Sequence, residues 1–329
     1  MKKTGVAIIG CGAISSTHAE AVVETDSAKL LMVADIDTKK AETLANKYGC
    51  DYTTDYKELL RNPDVQSVHL CTPHYLHAPM AKAFMEAGKH VLVEKPMGIN
   101  FQECEELNEI SRQTRCYLGV CLQNRYHATT AKMKELVDCG KMGRILGARA
   151  FVTWMRDKAY YEQSQWRGTW GREGGSLLIN QAIHTLDLLQ WLMGEIKDVR
   201  GSVATHFLSE TIETEDTAEA LLLFESGARA LFFASNAYVS NAPVYLELEC
   251  EEGTMILNGA LTINWKDGRK TLLEDTTKNG YKAYWGIGHK YLIQDFYHCL
   301  NSGKPFPVNG VEGSKAIRII QKIYACHGE

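Results

Sequence analysis

Three groups of residues in this chain have types and spacings that chemistry can use. The first is Asn180, His184 and Asp187, at i, i+4 and i+7 in Gly174-Gly-Ser-Leu-Leu-Ile-Asn-Gln-Ala-Ile-His184-Thr-Leu-Asp187. On a helix opened by the two glycines, that spacing sets a single polar face on an otherwise apolar cylinder. Three roles fit His184: a buried structural histidine, half of a metal site with no further ligand in view, or a general base. An imidazole has the right pKa to take a hydroxyl proton near neutrality. The second group is Glu94-Lys95-Pro96, which directly follows an apolar run, and Thr72-Pro73-His74-Tyr-Leu-His77, which follows another. At the carboxyl ends of parallel strands such turns bind ligands. Lys95 there would meet a substrate hydroxyl; the plainer alternative is a solvated lysine.

The third group is the turn Gly10-Cys11-Gly12-Ala13-Ile14, between the apolar run Val6–Ile9 and a helical pattern. Strand, glycine turn and helix in that order aim the helix N-terminus at a pyrophosphate. Ser15 replaces the usual third glycine and is small enough to keep helix and strand close. A second apolar run, Leu30–Ala34, ends in Asp35, placed to accept hydrogen bonds from the ribose hydroxyls of adenosine and to repel a 2′-phosphate. This selects NAD over NADP, although Lys39 and Lys40 lie only a helical turn away. The alternative for Asp35 is a cap on the helix that starts near Asp37.

The elements that must position these groups change type along the chain. Up to residue 122, apolar runs (Gly5–Ile9, Lys29–Ala34, Val65–Cys71, His90–Val93, Tyr117–Val120) alternate with helical windows. That alternation demands a parallel sheet covered on both faces. Beyond it, runs such as Ile145–Thr153, Thr217–Phe224, Ala228–Ala234 and Val244–Cys250 are joined by short turns such as Ser226-Gly227 and Asp267-Gly268. The expected fold is α/β: a Rossmann domain over 1–122, then an α+β domain over 123–329 with a large, mostly antiparallel open-faced sheet. Helical windows near Ile287–Ser302 and Val311–Ala325 end the chain, and the last is expected to pack back on the first domain.

Composition narrows the partners. A net charge of −4 and the lack of a basic run exclude a nucleic-acid surface. The ten cysteines form no C-x-x-C pair, so no metal site is indicated, and so many thiols suit a reducing cytoplasm. Met1-Lys-Lys3 before an apolar run resembles a secretory signal, but Gly5, Gly10 and Gly12 interrupt the run. No stretch reaches the roughly 18 apolar residues of a membrane span.

The glycine turn, Thr72-Pro-x-x-x-His77, Ala87-Gly-Lys-His-Val-Leu-Val-Glu-Lys-Pro96 and the Gly-Gly…His184-x-x-Asp187 helix together resemble the Gfo/Idh/MocA family of glucose–fructose oxidoreductases and inositol dehydrogenases. The likeness continues through His289…Asp295-Phe296 and Gly310-x-Glu312-Gly313. It implies NAD(P)-linked oxidation or reduction of a sugar or cyclitol hydroxyl, with Lys95 and His184 as the catalytic pair. Asn180 and Ala182 depart from the Asp and Gly that many relatives carry at these positions. An amide stabilises an imidazolium less than a carboxylate does, but Asn180 still offers a substrate hydroxyl a donor or an acceptor.

The substrate pocket is expected from the long loop Met155–Gly175, whose Trp166 and Arg167 suit a sugar face and an anionic group, and from Arg125 and Tyr126. The same residue types also build subunit interfaces. An open sheet face predicts a homodimer or homotetramer. Two other readings stand beside the dehydrogenase: a glycosidase or lyase working through transient oxidation by retained NAD, and a non-catalytic NAD-binding sensor.

Overall fold

The structure, a computed structural model, describes residues 3–274 and 287–326. Met1 and Lys2 of the charged start therefore lie outside the described residues. The chain forms two compact units, residues 1–123 with 287–314, and residues 124–286 with 315–329.

The first unit alternates β1 (Thr4–Ile9), α1 (Ser15–Val23), β2 (Ala28–Ala34), α2 (Thr38–Tyr48), β3 (Asp51–Thr53), α3 (Lys57–Arg61), β4 (Ser67–Leu70), α4 (His74–Glu86), β5 (His90–Glu94), α5 (Phe101–Thr114) and β6 (Leu118–Cys121). The sheet order is β3-β2-β1-β4-β5-β6, with every pair parallel. All residues of β1 and β4 are buried, as strands covered on both faces must be. The strand order reverses between β1 and β4, the switch point at which open α/β sheets bind ligands.

A 3₁₀ turn, Gln123–Tyr126, leads into the second unit. There follow α6 (Ala128–Asp138), β7 (Ile145–Thr153), α7 (Lys158–Glu162), α8 (Trp170–Glu173), a π-helical turn (Leu177–Ala182) and α9 (Ile183–Met193). Next come β8 (Ile196–Ala204), β9 (Thr217–Phe224), β10 (Arg229–Ser235), β11 (Tyr245–Cys250), β12 (Gly253–Asn258), β13 (Ala260–Trp265) and β14 (Lys270–Glu274). Their order is β14-β13-β12-β11-β7-β10-β9-β8. Only β7 and β10 pair in parallel. On β9 and β10 the alternation is plain: Ala220, Leu222, Ala230 and Phe232 are buried, while Leu221 and Leu231 face outward.

The last helices are α10 (Gly288–Ser302) and α11 (Gly310–Ala325). α10 belongs to the first unit, where it packs on α1 and β6 through Leu292, Ile293, Phe296 and Tyr297. The division between the units falls inside α11, after Ser314. Among the described residues, no helix is long and apolar enough to cross a membrane. The stretch Met155–Gly175 is not a plain loop, because α7 and α8 lie within it.

Candidate active site

The glycine turn has two opposite steric demands. Gly10 has φ +90°, and a Cβ there would stand 2.6 Å from the Cys71 carbonyl oxygen, so only glycine fits. At Gly12 the space a Cβ would fill is empty, which leaves room for a ligand against the backbone. Ser15 is buried and donates its hydroxyl to the Gly12 carbonyl at 2.7 Å, closing the turn onto α1. No side chain caps α1, and its first turn holds no acid, so its leading N–H groups suit an anion.

Asp35 follows β2. One carboxylate oxygen accepts from the Cys11 N–H at 2.7 Å and the other from the Asp37 N–H at 2.8 Å. Each oxygen keeps a further lone pair for a ribose hydroxyl. Asp37, not Asp35, caps α2, accepting from the Lys39 and Lys40 N–H groups. Burial and the nearby Asp35 push the Cys11 thiol up to about 12, so it stays protonated at neutral pH. Cys11 and Ser15 line a cleft of about 270 Å³ together with Lys39, Lys40 and Lys47. The uncapped helix, the open glycine and the oriented acid fit a dinucleotide.

The turns after β4 and β5 are tied together by His77. Its Nδ1 lies 2.6 Å from the Pro96 carbonyl oxygen and its Nε2 lies 2.7 Å from that of Thr72. Burial lowers its pKa, and the two carbonyls oppose that shift by favouring the charged ring. Both of its nitrogens are therefore engaged with backbone, and the ring ties the two turns to each other. Thr72 and Pro73 are half-buried and His74 is buried at the first position of α4.

Glu94, the last residue of β5, is buried, while the next residue, Lys95, is half-buried. One Glu94 oxygen takes His18 Nε2 at 2.9 Å and His289 Nε2 at 3.1 Å. These bonds hold the carboxyl well below its usual range despite desolvation, so it is ionised. Burial keeps His18 and His69 neutral, which leaves one pattern of protons. His18 donates from Nε2 to Glu94 and accepts at Nδ1 from His69 Nδ1, 2.9 Å away; His69 Nε2 then accepts from the Tyr297 hydroxyl at 2.7 Å. The ligand atoms of His18, Glu94 and His289 lie within 4.8 Å of one another. A metal ion would have to displace the protons that both imidazoles share with Glu94.

In the second unit the helix carrying Asn180 and His184 does not start as an α-helix. Gly174 and Gly175 have φ of +82° and +135°, and a Cβ on Gly175 would lie 2.1 Å from the Tyr324 hydroxyl. A π turn follows and runs into α9 at Ile183, so Asn180 lies on a wider turn than His184. Buried Glu215 holds that turn, accepting from the Leu178 N–H at 2.8 Å, the Ser176 N–H at 3.2 Å and the Tyr324 hydroxyl at 2.7 Å. His184 is buried on α9.

Asp187 has a definite partner. Arg125 donates Nε to one of its oxygens at 2.9 Å and Nη2 to the other at 2.6 Å, with both side chains buried. The fork expected to grip substrate thus anchors the 3₁₀ turn, next to half-buried Tyr126, to α9. Between β7 and α8, arginines alternate with aromatic faces. Arg156 lies over Trp154 and Tyr160 at 5.1 Å each, and Arg167 over Tyr160 at 4.3 Å and Trp166 at 5.5 Å.

Several groups carry no signal in one sequence. Glu173 has its carboxyl wholly buried, bound to the Gly168 N–H and to Asn180 Nδ2. His18 meets Glu94, and His69 and Tyr297 extend the chain from His18, only through the fold. Of that network only His289 was marked, through the family likeness and without a role.

Comparison with known proteins places this architecture. The Gfo/Idh/MocA oxidoreductase family, with its NAD-binding Rossmann fold, matches residues 4–122, and the family's C-terminal domain matches residues 130–256. The chain belongs to this family and is an NAD-binding oxidoreductase of the dehydrogenase type. It is 25% identical to the myo-inositol 2-dehydrogenase of Thermotoga maritima, over 95% of this chain and 92% of that protein. The WlbA dehydrogenase of Bordetella pertussis, solved with NADH and UDP-GlcNAcA, is 27% identical, covers 100% of this chain and 97% of its own, and has a TM-score of 0.87. A levoglucosan dehydrogenase with NADH and levoglucosan has a TM-score of 0.90 at 21% identity, covering 99% of this chain and 98% of its own, and shares the fold.

Proposed function

We propose that this protein oxidises, or in reverse reduces, a secondary hydroxyl of a sugar, sugar derivative or cyclitol, with Lys95 and His184 handling the hydroxyl proton. The observation that carries this is the position of Lys95. It follows β5 in a sheet whose strands are all parallel, so it leaves the same edge of the sheet as the glycine turn after β1. The inositol dehydrogenase and the WlbA structure support the same substrate class.

Bound NAD supplies a hydride acceptor. Gly10 to Ile14 and Asp35 hold its phosphates and adenosine ribose, and Thr72, Pro73 and His74 border it. Glu94 and His77 keep the turns around Lys95 in place. Lys95 and His184 remove the hydroxyl proton as the carbonyl forms and return it in the reverse direction. Asn180, Tyr126, Trp166 and Arg167 contact substrate; Arg125 acts through its pair with Asp187. The protein works in the cytoplasm as a homodimer or homotetramer.

The test is NADH formation across a panel of monosaccharides, glycosides and inositols. Turnover of one member with accumulating NADH is expected. A protein that turns over none of them, or consumes a glycoside without net NADH, overturns this reading.

A further inference from the structure

In the second unit Arg125, Arg144, Arg149 and Arg269 each hold a carboxylate. Arg156 and Arg167 do not, and among the described residues their hydrogen bonds reach neutral oxygens. Arg156 Nη1 donates to the Met155 carbonyl at 2.7 Å and to Asn241 Oδ1 at 3.0 Å. Arg167 Nη1 donates to the Tyr160 carbonyl at 3.1 Å. In both arginines Nε is shut off from solvent and has no acceptor. What remains on each is the edge formed by Nε and Nη2, the same edge by which Arg125 grips Asp187. That edge matches two oxygens of one carboxylate or phosphate.

The two guanidinia share one ring. Arg167 lies 4.3 Å and Arg156 5.1 Å from the centre of Tyr160, with Trp166 and Trp154 also against them. A ring face attracts a cation but is a weak acceptor for its N–H groups. Burial raises the Tyr160 hydroxyl above its usual range despite both arginines, so it stays neutral and is no counter-ion. Glu173 feels the charge of Arg167, but its oxygens bond the Gly168 N–H and Asn180 without pairing with the guanidinium. Two like charges against one ring repel, and a buried donor without an acceptor destabilises. An oxyanion brought by a ligand removes both costs together.

We propose that Arg156 and Arg167 select the substrate by an oxyanion it carries, a carboxylate or a phosphate ester, so that the polyol is an acid rather than a neutral sugar. The inference rests on the reading above in taking the substrate to be a polyol bound beside Asn180 and His184. Tyr160 connects the two places. Its hydroxyl lies 3.1 Å from Gln181 Nε2 and 3.5 Å from Asn180 Nδ2, and His184 follows three residues after Gln181. The arginines and the histidine turn thus stand on either side of one tyrosine, a separation that a sugar-sized ligand spans.

The test has two arms. In the first, the substrate panel is extended so that each neutral sugar is paired with its uronic acid and its phosphate ester. The acid member of one pair should exceed its neutral counterpart in kcat/KM by about ten- to a hundredfold, the range of charge-assisted hydrogen bonds. Whether that member is the uronate or the ester identifies the oxyanion. Arg156→Gln and Arg167→Gln should each pull this ratio down by about tenfold or more. Arg156→Lys and Arg167→Lys keep a cation at Tyr160 but lose the fork, so they should restore only part of it. A best substrate that is neutral, or a preference for the acid that survives both glutamine variants, overturns the proposal and leaves the dehydrogenase reading intact.

The second arm needs no turnover. On the full-length protein saturated with NADH, the Nε–H signals of Arg156 and Arg167 are followed by nitrogen NMR, each assigned by its loss in the glutamine variant. D-glucuronate, D-glucose 6-phosphate or D-glucose is then added. Both signals should move with one of the two acids and stay in place with glucose. Signals that ignore both acids, or that answer glucose equally, reject the site. If no polyol is turned over, the dehydrogenase reading fails and this arm alone decides whether the pair binds an oxyanion.

Discussion

Lys95 and His184 carry the sharpest expectation at the scale of single residues. Each alanine variant loses proton transfer worth roughly 10²–10⁴ in rate, so Lys95→Ala and His184→Ala should lower kcat by that factor. NAD affinity, measured by fluorescence titration, should change little in either. The double variant should lose less than the product of the two, since both act on one proton. Near-normal turnover in His184→Ala would make the histidine structural; in Lys95→Ala it would misplace the site. Asp35 governs the cofactor. With a carboxylate oriented by the Cys11 and Asp37 N–H groups, kcat/KM should favour NAD over NADP about tenfold or more, which is about 1.4 kcal/mol. Equal turnover with NADP would instead assign the cleft lysines 39, 40 and 47 to the phosphate. Asn180→Asp puts a second carboxyl where an amide now meets Glu173 at 2.6 Å. Two carboxylates so close share one proton, so the acidic limb of the pH–rate profile should move upward. An unmoved limb would show that Asn180 and Glu173 are not coupled.

At the scale of elements, α1, β4, β5 and α10 are joined by the histidines around Glu94. His18 and His69 are held neutral by burial, below the 6.5 of a free imidazole. The unfolded chain therefore binds more protons than the folded one below about pH 6.5. Stability present above that pH should fall as the pH drops through it, by up to about 1.4 kcal/mol per unit for each histidine. Thermal melts from pH 7.5 to 5 would show the slope, and His69→Gln should flatten it by about one proton. A pH-independent Tm over that range would contradict the assignment. Strands, turns and the glycine pocket were legible in the sequence, because hydrophobic period and glycine placement are local. Thr217–Phe224 and Ile145–Thr153 emerge with the expected bounds. The parallel pairing of β7 with β10 and the partners of Glu94 were not legible, since they depend on residues far apart in the chain. The π turn was hidden because Asn180, His184 and Asp187 keep the spacing of an α-helix.

At the scale of the whole molecule, one face of the larger sheet carries exposed leucines among the described residues. Arg200, Leu221, Leu231, Arg149, Glu247, Ile256, Thr262 and Leu272 stand in one row across eight strands. Leu231 is 51% exposed and Leu272 60%. Leucines beside an Arg149–Glu247 pair suit a second copy of the same face. Light scattering at micromolar concentration should give a multiple of the 36.8 kDa monomer, and Leu231→Lys should lower it. A monomer mass for the unaltered chain would reject the interface. The assignment of α10 to the first unit also bears on synthesis. While the chain leaves the ribosome, β1 to β6 are complete long before residues 287–302 exist. Until then Glu94 lacks His289, His69 lacks Tyr297, and α1 lacks the packing of α10. The dinucleotide unit must therefore wait, half-assembled, for more than 160 residues of the other unit to be made. A fragment ending at residue 123 should behave as a collapsed, exchange-labile chain rather than a small stable Rossmann domain, and supplying a peptide of residues 287–314 in trans should tighten it.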